Sequence, residues 1–206
     1  MAQVLELPVG DAKHAGVVIL HEWWGINEQI QVTAKRYADE GMCALVVDLY
    51  DGKVAKDASE AMALMKALDT GAAIAQITAA VDALKAHPRC TGKVAVTGYC
   101  MGGALTFRSA VTIRGLACTV PFYGLPGDLD WSKIDAPVQA HFARIDDWAT
   151  VAGAEKIKAA LTVPMELHVY EAEHAFCNER RPEVYNAEAA ALAWSRAVEF
   201  IRAATE

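Results

Sequence analysis

Long apolar runs, an excess of basic charge and paired cysteines are all missing from this 206-residue sequence. Apolar stretches such as Gly16 to Leu20 have the length of a strand and fall far short of a bilayer span, so no membrane association is expected. Lys and Arg total 19 against 26 Asp and Glu, a formal charge of -7. With no run of like charge, that balance argues against a general nucleic-acid binder. The five cysteines (Cys43, Cys90, Cys100, Cys118 and Cys177) are odd in number and show no C-x-x-C spacing. A disulfide framework is therefore not expected. Met1 to Asp11 has no basic stretch leading into an apolar core, so no secretory signal is read there and a reduced cytoplasm is the expected compartment.

What is present is apolar residues at 54% with charged residues at only 22%. That excludes the disorder signature. A chain of this length should bury roughly 70% of its unfolded surface and needs no disulfide or metal staple. One globular domain over residues 1–206 is expected, an enzyme or a small binding protein.

Short apolar runs alternate with helical patterns. Gly16 to Leu20, Cys43 to Asp48, Lys93 to Thr97, Ala117 to Tyr123, Val138 to Ala143 and Glu166 to Tyr170 read as strands. Helices are predicted over Asn27 to Asp39 (capped by Asn27, closed by Gly41), Ser59 to Leu68, Ala72 to His87, Met101 to Val111, Val151 to Leu161 and Glu183 to Ala203. Leu125 to Ile134 reads as a surface excursion. Near-continuous apolar strands separated by helices imply an α/β fold, a mostly parallel sheet covered on both faces. Function should then sit in loops at the carboxyl ends of the strands.

Gly98-Tyr99-Cys100-Met101-Gly102-Gly103 follows a predicted strand and opens a predicted helix. A nucleophile elbow needs this arrangement: a strained turn lifts the nucleophile out, and small residues two before and two after let the chain pass. Cysteine stands where serine is more usual. The plainer alternative is a glycine-rich turn around an inert cysteine. A thiol nucleophile needs a base and an orienter for that base. His174 follows the last strand, and Asp146 and Asp147 follow the strand before it. The order Cys, Asp, His is that of α/β hydrolases. His141 and His168 fall within strands, where packing is the expected role, and His14 and His87 have surface-like contexts.

The loop His21-Glu22-Trp23-Trp24-Gly25 should stand beside the elbow. Its Trp23 N–H and the Met101 N–H are candidate oxyanion donors. Glu22 is either a solvated loop acid or a regulator of the thiol's protonation. The two tryptophans are either a pocket wall or core packing.

With these pieces in view, the sequence resembles the dienelactone hydrolase family of α/β hydrolases. The matching segments are HEWWG (His21–Gly25), DLY (Asp48–Tyr50), GKVAVTGYCMGG (Gly92–Gly103), FYG (Phe122–Gly124), Asp146–Trp148 and HAFCNERRP (His174–Pro182). The resemblance implies an α/β-hydrolase fold and a carboxymethylenebutenolidase-like hydrolase of a small lactone or ester. Cys100 would be the nucleophile, His174 the base and Asp146 its orienter, with Ala143 at the place of a family glycine three residues before the acid. Glu22 would meet the thiol in the resting enzyme and take its proton when substrate binds. A neutral resting thiol is protected from oxidation, since the thiolate is the reactive form. An acyl thioester would follow, hydrolysed by water activated through His174. Trp24, Tyr123, Trp148 and Phe176 are expected to wall the substrate pocket.

Two departures weaken the case for the dienelactone substrate itself. The family's carboxylate-gripping arginine four residues after the histidine is here Asn178, and Asp57-Ala58-Ser59-Glu60 lacks the second arginine. Arg180 and Arg181 could reach inward or lie in solvent. No cofactor or metal is expected: His174 and Cys177 together make at most half a metal site. A monomer acting on a small molecule is the default, and a non-catalytic binding or redox-sensing protein using Cys100 is the alternative.

Overall fold

The computed structural model describes residues 3–206. A seven-stranded sheet runs in the order β1-β3-β2-β4-β5-β6-β7. Its strands are β1 (Val4–Glu6), β2 (His14–Leu20), β3 (Cys43–Val47), β4 (Cys90–Tyr99), β5 (Thr119–Phe122), β6 (Val138–Ile145) and β7 (Met165–Glu173). Only β1 is antiparallel, pairing with β3 at one edge. The other five pairings are parallel, as the near-continuous apolar strands require.

Among the described residues six α-helices cover the sheet: α1 (Glu28–Asp39), α2 (Ala58–Ala67), α3 (Thr70–Ala86), α4 (Met101–Thr112), α5 (Val151–Ala160) and α6 (Ala187–Thr205). Strand periodicity divides the core. Val17 and Ile19 of β2 face Ile30 and Tyr37 of α1 and Ala193 and Ile201 of α6. Val18 and Leu20 face Ile77 and Leu84 of α3 and Leu105 of α4. Phe142 of β6 packs with Phe107 of α4 and Ile157 of α5. All four β2 residues from Val17 to Leu20 are 0% exposed, which makes β2 a central strand.

Helix starts follow their caps. Asn27, Asp57, Asp69, Thr150 and Asn186 each accept a hydrogen bond from the N–H three residues on. The cap at Asn186 explains why α6 begins four residues later than predicted. The 125–134 excursion is less superficial than expected: a 3-10 turn at Trp131–Lys133 lays Trp131 edge-on to Phe107, and Ile134 is buried.

From β2 the chain steps to β3 on one side and later returns to β4 on the other. The loops after β2 and β4 therefore open onto a topological switch point, where a crevice forms.

Candidate active site

Cys100 sits at φ 55°, ψ -114° between β4 and α4. Its N–H donates to the Phe122 carbonyl at 3.1 Å and its carbonyl accepts from Ala104 N–H at 3.1 Å, fixing the turn from both sides. A Cβ on Gly98 would come 2.3 Å from the Gly102 carbonyl oxygen, and one on Gly102 the same distance from that of Leu20. Those glycines are demanded by the crossing backbones. Tyr123 and Ala175 also have positive φ (34° and 66°). Strained backbone thus gathers at the carboxyl ends of β4, β5 and β7.

The structure brings Cys100, His174 and Asp146 together. His174 Nε2 lies 3.1 Å from Cys100 Sγ, and His174 Nδ1 lies 2.6 Å from Asp146 Oδ2. Asp146 Oδ1 accepts from the N–H groups of Trp148 and Ala149 at 2.8 and 2.9 Å. Its side chain is 0% exposed, whereas Asp147 has no bond to the histidine. Burial works against charge on His174, but its bonds to Asp146 and Cys100 prevail and push its pKa up to about 10. Burial likewise opposes charge on Asp146, and its bonds to His174 and the two N–H groups prevail, holding it below the usual carboxylate range.

Glu22 is 8% exposed and borders the same cavity as Cys100. It does not meet the thiol as the resemblance implied. Asn178 Nδ2 donates to Oε2 at 2.6 Å and the Tyr123 hydroxyl donates to Oε1 at 3.3 Å, so both carboxylate oxygens are engaged elsewhere. Burial raises the Glu22 pKa, opposed by Asn178, His174, Arg181 and Tyr123. Behind it lies a second, small cavity of about 30 Å³ lined by Gln29, Thr33, Arg36 and Cys177 among others. The loop carrying Glu22 is anchored by buried His21. Its Nδ1 donates to the Glu22 carbonyl at 2.5 Å, and its Nε2 accepts from Leu49 N–H at 3.3 Å.

The main cavity, about 670 Å³, is of the size that holds small molecules. Trp23, Tyr123 and Trp148 line it. Trp24 and Phe176, expected there, do not. Trp24 stands edge-on behind Trp23, and its carbonyl ties to Ala55 N–H. Phe176 is fully buried against Tyr123 and Tyr170, supporting the wall rather than forming it. The N–H groups of Trp23 and Met101 donate to no backbone or side-chain acceptor among the described residues. Of the two arginines left open, Arg181 lines the cavity, while Arg180 turns outward to pair with Glu28. Among the described residues no group of three or more His, Cys, Asp or Glu is arranged to hold a metal ion.

The model of the dienelactone hydrolase family matches residues 1–205. The protein usf of Aquifex pyrophilus is 36% identical, with 91% of this chain and 87% of that protein covered. Carboxymethylenebutenolidase 1 of Cupriavidus pinatubonensis is 28% identical over 90% of this chain and 84% of its own length. Among solved structures, a dienelactone hydrolase-like promiscuous phosphotriesterase from metagenomic libraries superposes with a TM-score of 0.83. It is 27% identical, and the match covers 94% of this chain and 87% of that one.

Proposed function

From the premise that this chain belongs to the dienelactone hydrolase family of α/β hydrolases, enzymes of ester and lactone hydrolysis, we propose that it is a cysteine hydrolase acting through Cys100, His174 and Asp146. The observation that carries the reading is the unbroken line from Asp146 Oδ2 through the imidazole to Cys100 Sγ, with contacts of 2.6 and 3.1 Å. A ring whose charged form is favoured accepts the thiol proton readily, and Asp146 fixes its tautomer.

In this mechanism Cys100 sulfur attacks the carbonyl carbon of the ester or lactone, and the carbonyl π electrons move to oxygen. The unengaged N–H groups of Trp23 and Met101 are the donors for that oxyanion. Its collapse breaks the carbon–oxygen bond, and the departing alkoxide takes the proton held by His174. The acyl thioester is then attacked by water, which His174 deprotonates, and the thiol and a carboxylic acid are released. The thiol's single proton goes to His174; Glu22, held by Asn178 and Tyr123, acts on that transfer only through its charge near His174. With that acid engaged elsewhere, the thiol of the free enzyme faces His174 instead.

The test is hydrolysis of a panel of dienelactone, short p-nitrophenyl esters and acyl thioesters by wild type and Cys100→Ala, with mass spectrometry of quenched wild type. Turnover by wild type alone, with an acyl adduct on the Cys100 peptide, is the expected result. Full activity in Cys100→Ala refutes the reading.

A further inference from the structure

The cavity wall bears on which esters the site accepts, an inference that rests on the hydrolase reading above. Trp148 and Ile145 are large apolar side chains, yet they remain 64% and 65% exposed. Both border the cavity that holds Cys100 and His174. The Trp148 ring stands edge-on to Trp23, with centroids 6.1 Å apart, so the two indoles form one corner of the wall. Met65, Leu125 and Val184 continue the apolar lining. Exposed apolar surface concentrated at the mouth of a cavity gains most when a ligand covers it.

Charge points the same way. Among the described residues the acids lining the cavity are Glu22, Asp146, Asp147 and Glu173; against them stand Arg181 and the His174 imidazolium, and the latter is already paired with Asp146. The Arg181 Nε–H is already given to Glu183 Oε1 at 2.8 Å. Arg180, the other arginine of that loop, pairs with Glu28 on the outside and does not line the cavity. An anionic substrate would meet a net negative wall, whereas a neutral aromatic one would meet two indole rings.

We propose that the site takes an uncharged ester or lactone carrying an aromatic group, which packs on Trp148 and Trp23 at the cavity mouth. Trp148 is then the residue that sets this preference, by contact with the part of the substrate remote from the scissile bond.

The experiment is isothermal titration calorimetry on the Cys100→Ala protein, which holds substrate without turning it over. Two probes that share the naphthylmethyl group are used: methyl 2-naphthylacetate, which is neutral and larger by one methyl, and 2-naphthylacetate, which is anionic. The neutral ester is expected to bind at least about tenfold more tightly than the anion. Adding Trp148→Ala should weaken ester binding by about tenfold, and Trp148→Phe should restore much of it, a rescue expected for ring packing. The exposed indole can be removed with little cost to the fold, which an unchanged melting temperature would verify. Tighter binding of the anion overturns the proposal and hands recognition to Arg181. Equal affinity with and without the Trp148 ring, or no heat from either probe, overturns it as well. Residual ester hydrolysis by Cys100→Ala would instead count against the cysteine mechanism and leave the order of affinities standing.

Discussion

Replacing Glu22 by Gln removes the charge of the buried acid while keeping its shape. The glutamine oxygen can accept from Asn178 Nδ2, now 2.6 Å from Oε2, and its amide can donate to the Tyr123 oxygen, now 3.3 Å from Oε1. Burial raises the carboxyl pKa above its ordinary value of 4.5, against the opposing pull of Asn178, His174, Arg181 and Tyr123. The folded protein therefore keeps this proton at a pH where the unfolded chain has lost it. That contribution to stability is fully present below the unfolded pKa and is lost as pH rises through the folded one. Glutamine suffers no such loss. The variant should thus gain on wild type by about 1.4 kcal/mol per pH unit across that window and then level off. A gain of about 1–3 kcal/mol at pH 8 is the scale for relieving a partly compensated buried charge. For a chain of this length that is a rise in Tm of about 2–12 °C. Circular dichroism melts of both proteins from pH 4 to 8.5 at fixed ionic strength measure the gap. A gap that stays flat over that range, or that favours wild type at pH 8, refutes the reasoning. Alkylation of Cys100 by iodoacetamide on the same two proteins tests the chemical role: an unchanged rate–pH profile removes Glu22 from the thiol's proton transfer.

Three further outcomes follow from the same geometry. Asp146→Asn should lower kcat/KM by about 100-fold or more, and proton NMR should find His174 titrating below its wild-type value of about 10; an unmoved titration contradicts the assignment. Asn178→Leu strips the 2.6 Å donor from Glu22. It should cost about 1–3 kcal/mol in urea denaturation where the acid is charged, and less at pH 5 than at pH 8; equal losses at both would show that the bond does not serve the carboxylate. Gly98→Ala drives a Cβ to 2.3 Å from the Gly102 carbonyl oxygen and 2.8 Å from Leu20 Cβ. A melting temperature several degrees lower, for about 1–3 kcal/mol, is expected, and an unchanged one would mean that the elbow can relax.

Much of the framework is determined by short-range features that any reader of the chain can see. Apolar strand runs, side-chain caps such as Asn27 and the glycines around Cys100 act over a few residues. Strand positions, helix positions and the elbow were therefore legible. Strand β1 was not, because three residues carry no periodicity and its existence depends on pairing with β3. The site divides the same way. The order Cys100, Asp146, His174 lies open in the sequence, and with it the elbow and the β-end loops. Choosing between Asp146 and Asp147 by physical contact needs the fold, because neighbouring side chains point apart and only one reaches His174. The same holds for Arg181 over Arg180, and for Trp23 over Trp24 as cavity wall. Glu22 is the extreme case. Its partners Tyr123 and Asn178 lie 101 and 156 residues away, and no local pattern encodes a hydrogen bond made only when β2, β5 and the loop after β7 converge. The sequence alone determines which groups are available for chemistry. Tertiary structure decides which of them share a buried space, because burial and hydrogen-bond reach exist only once distant strands have been laid side by side.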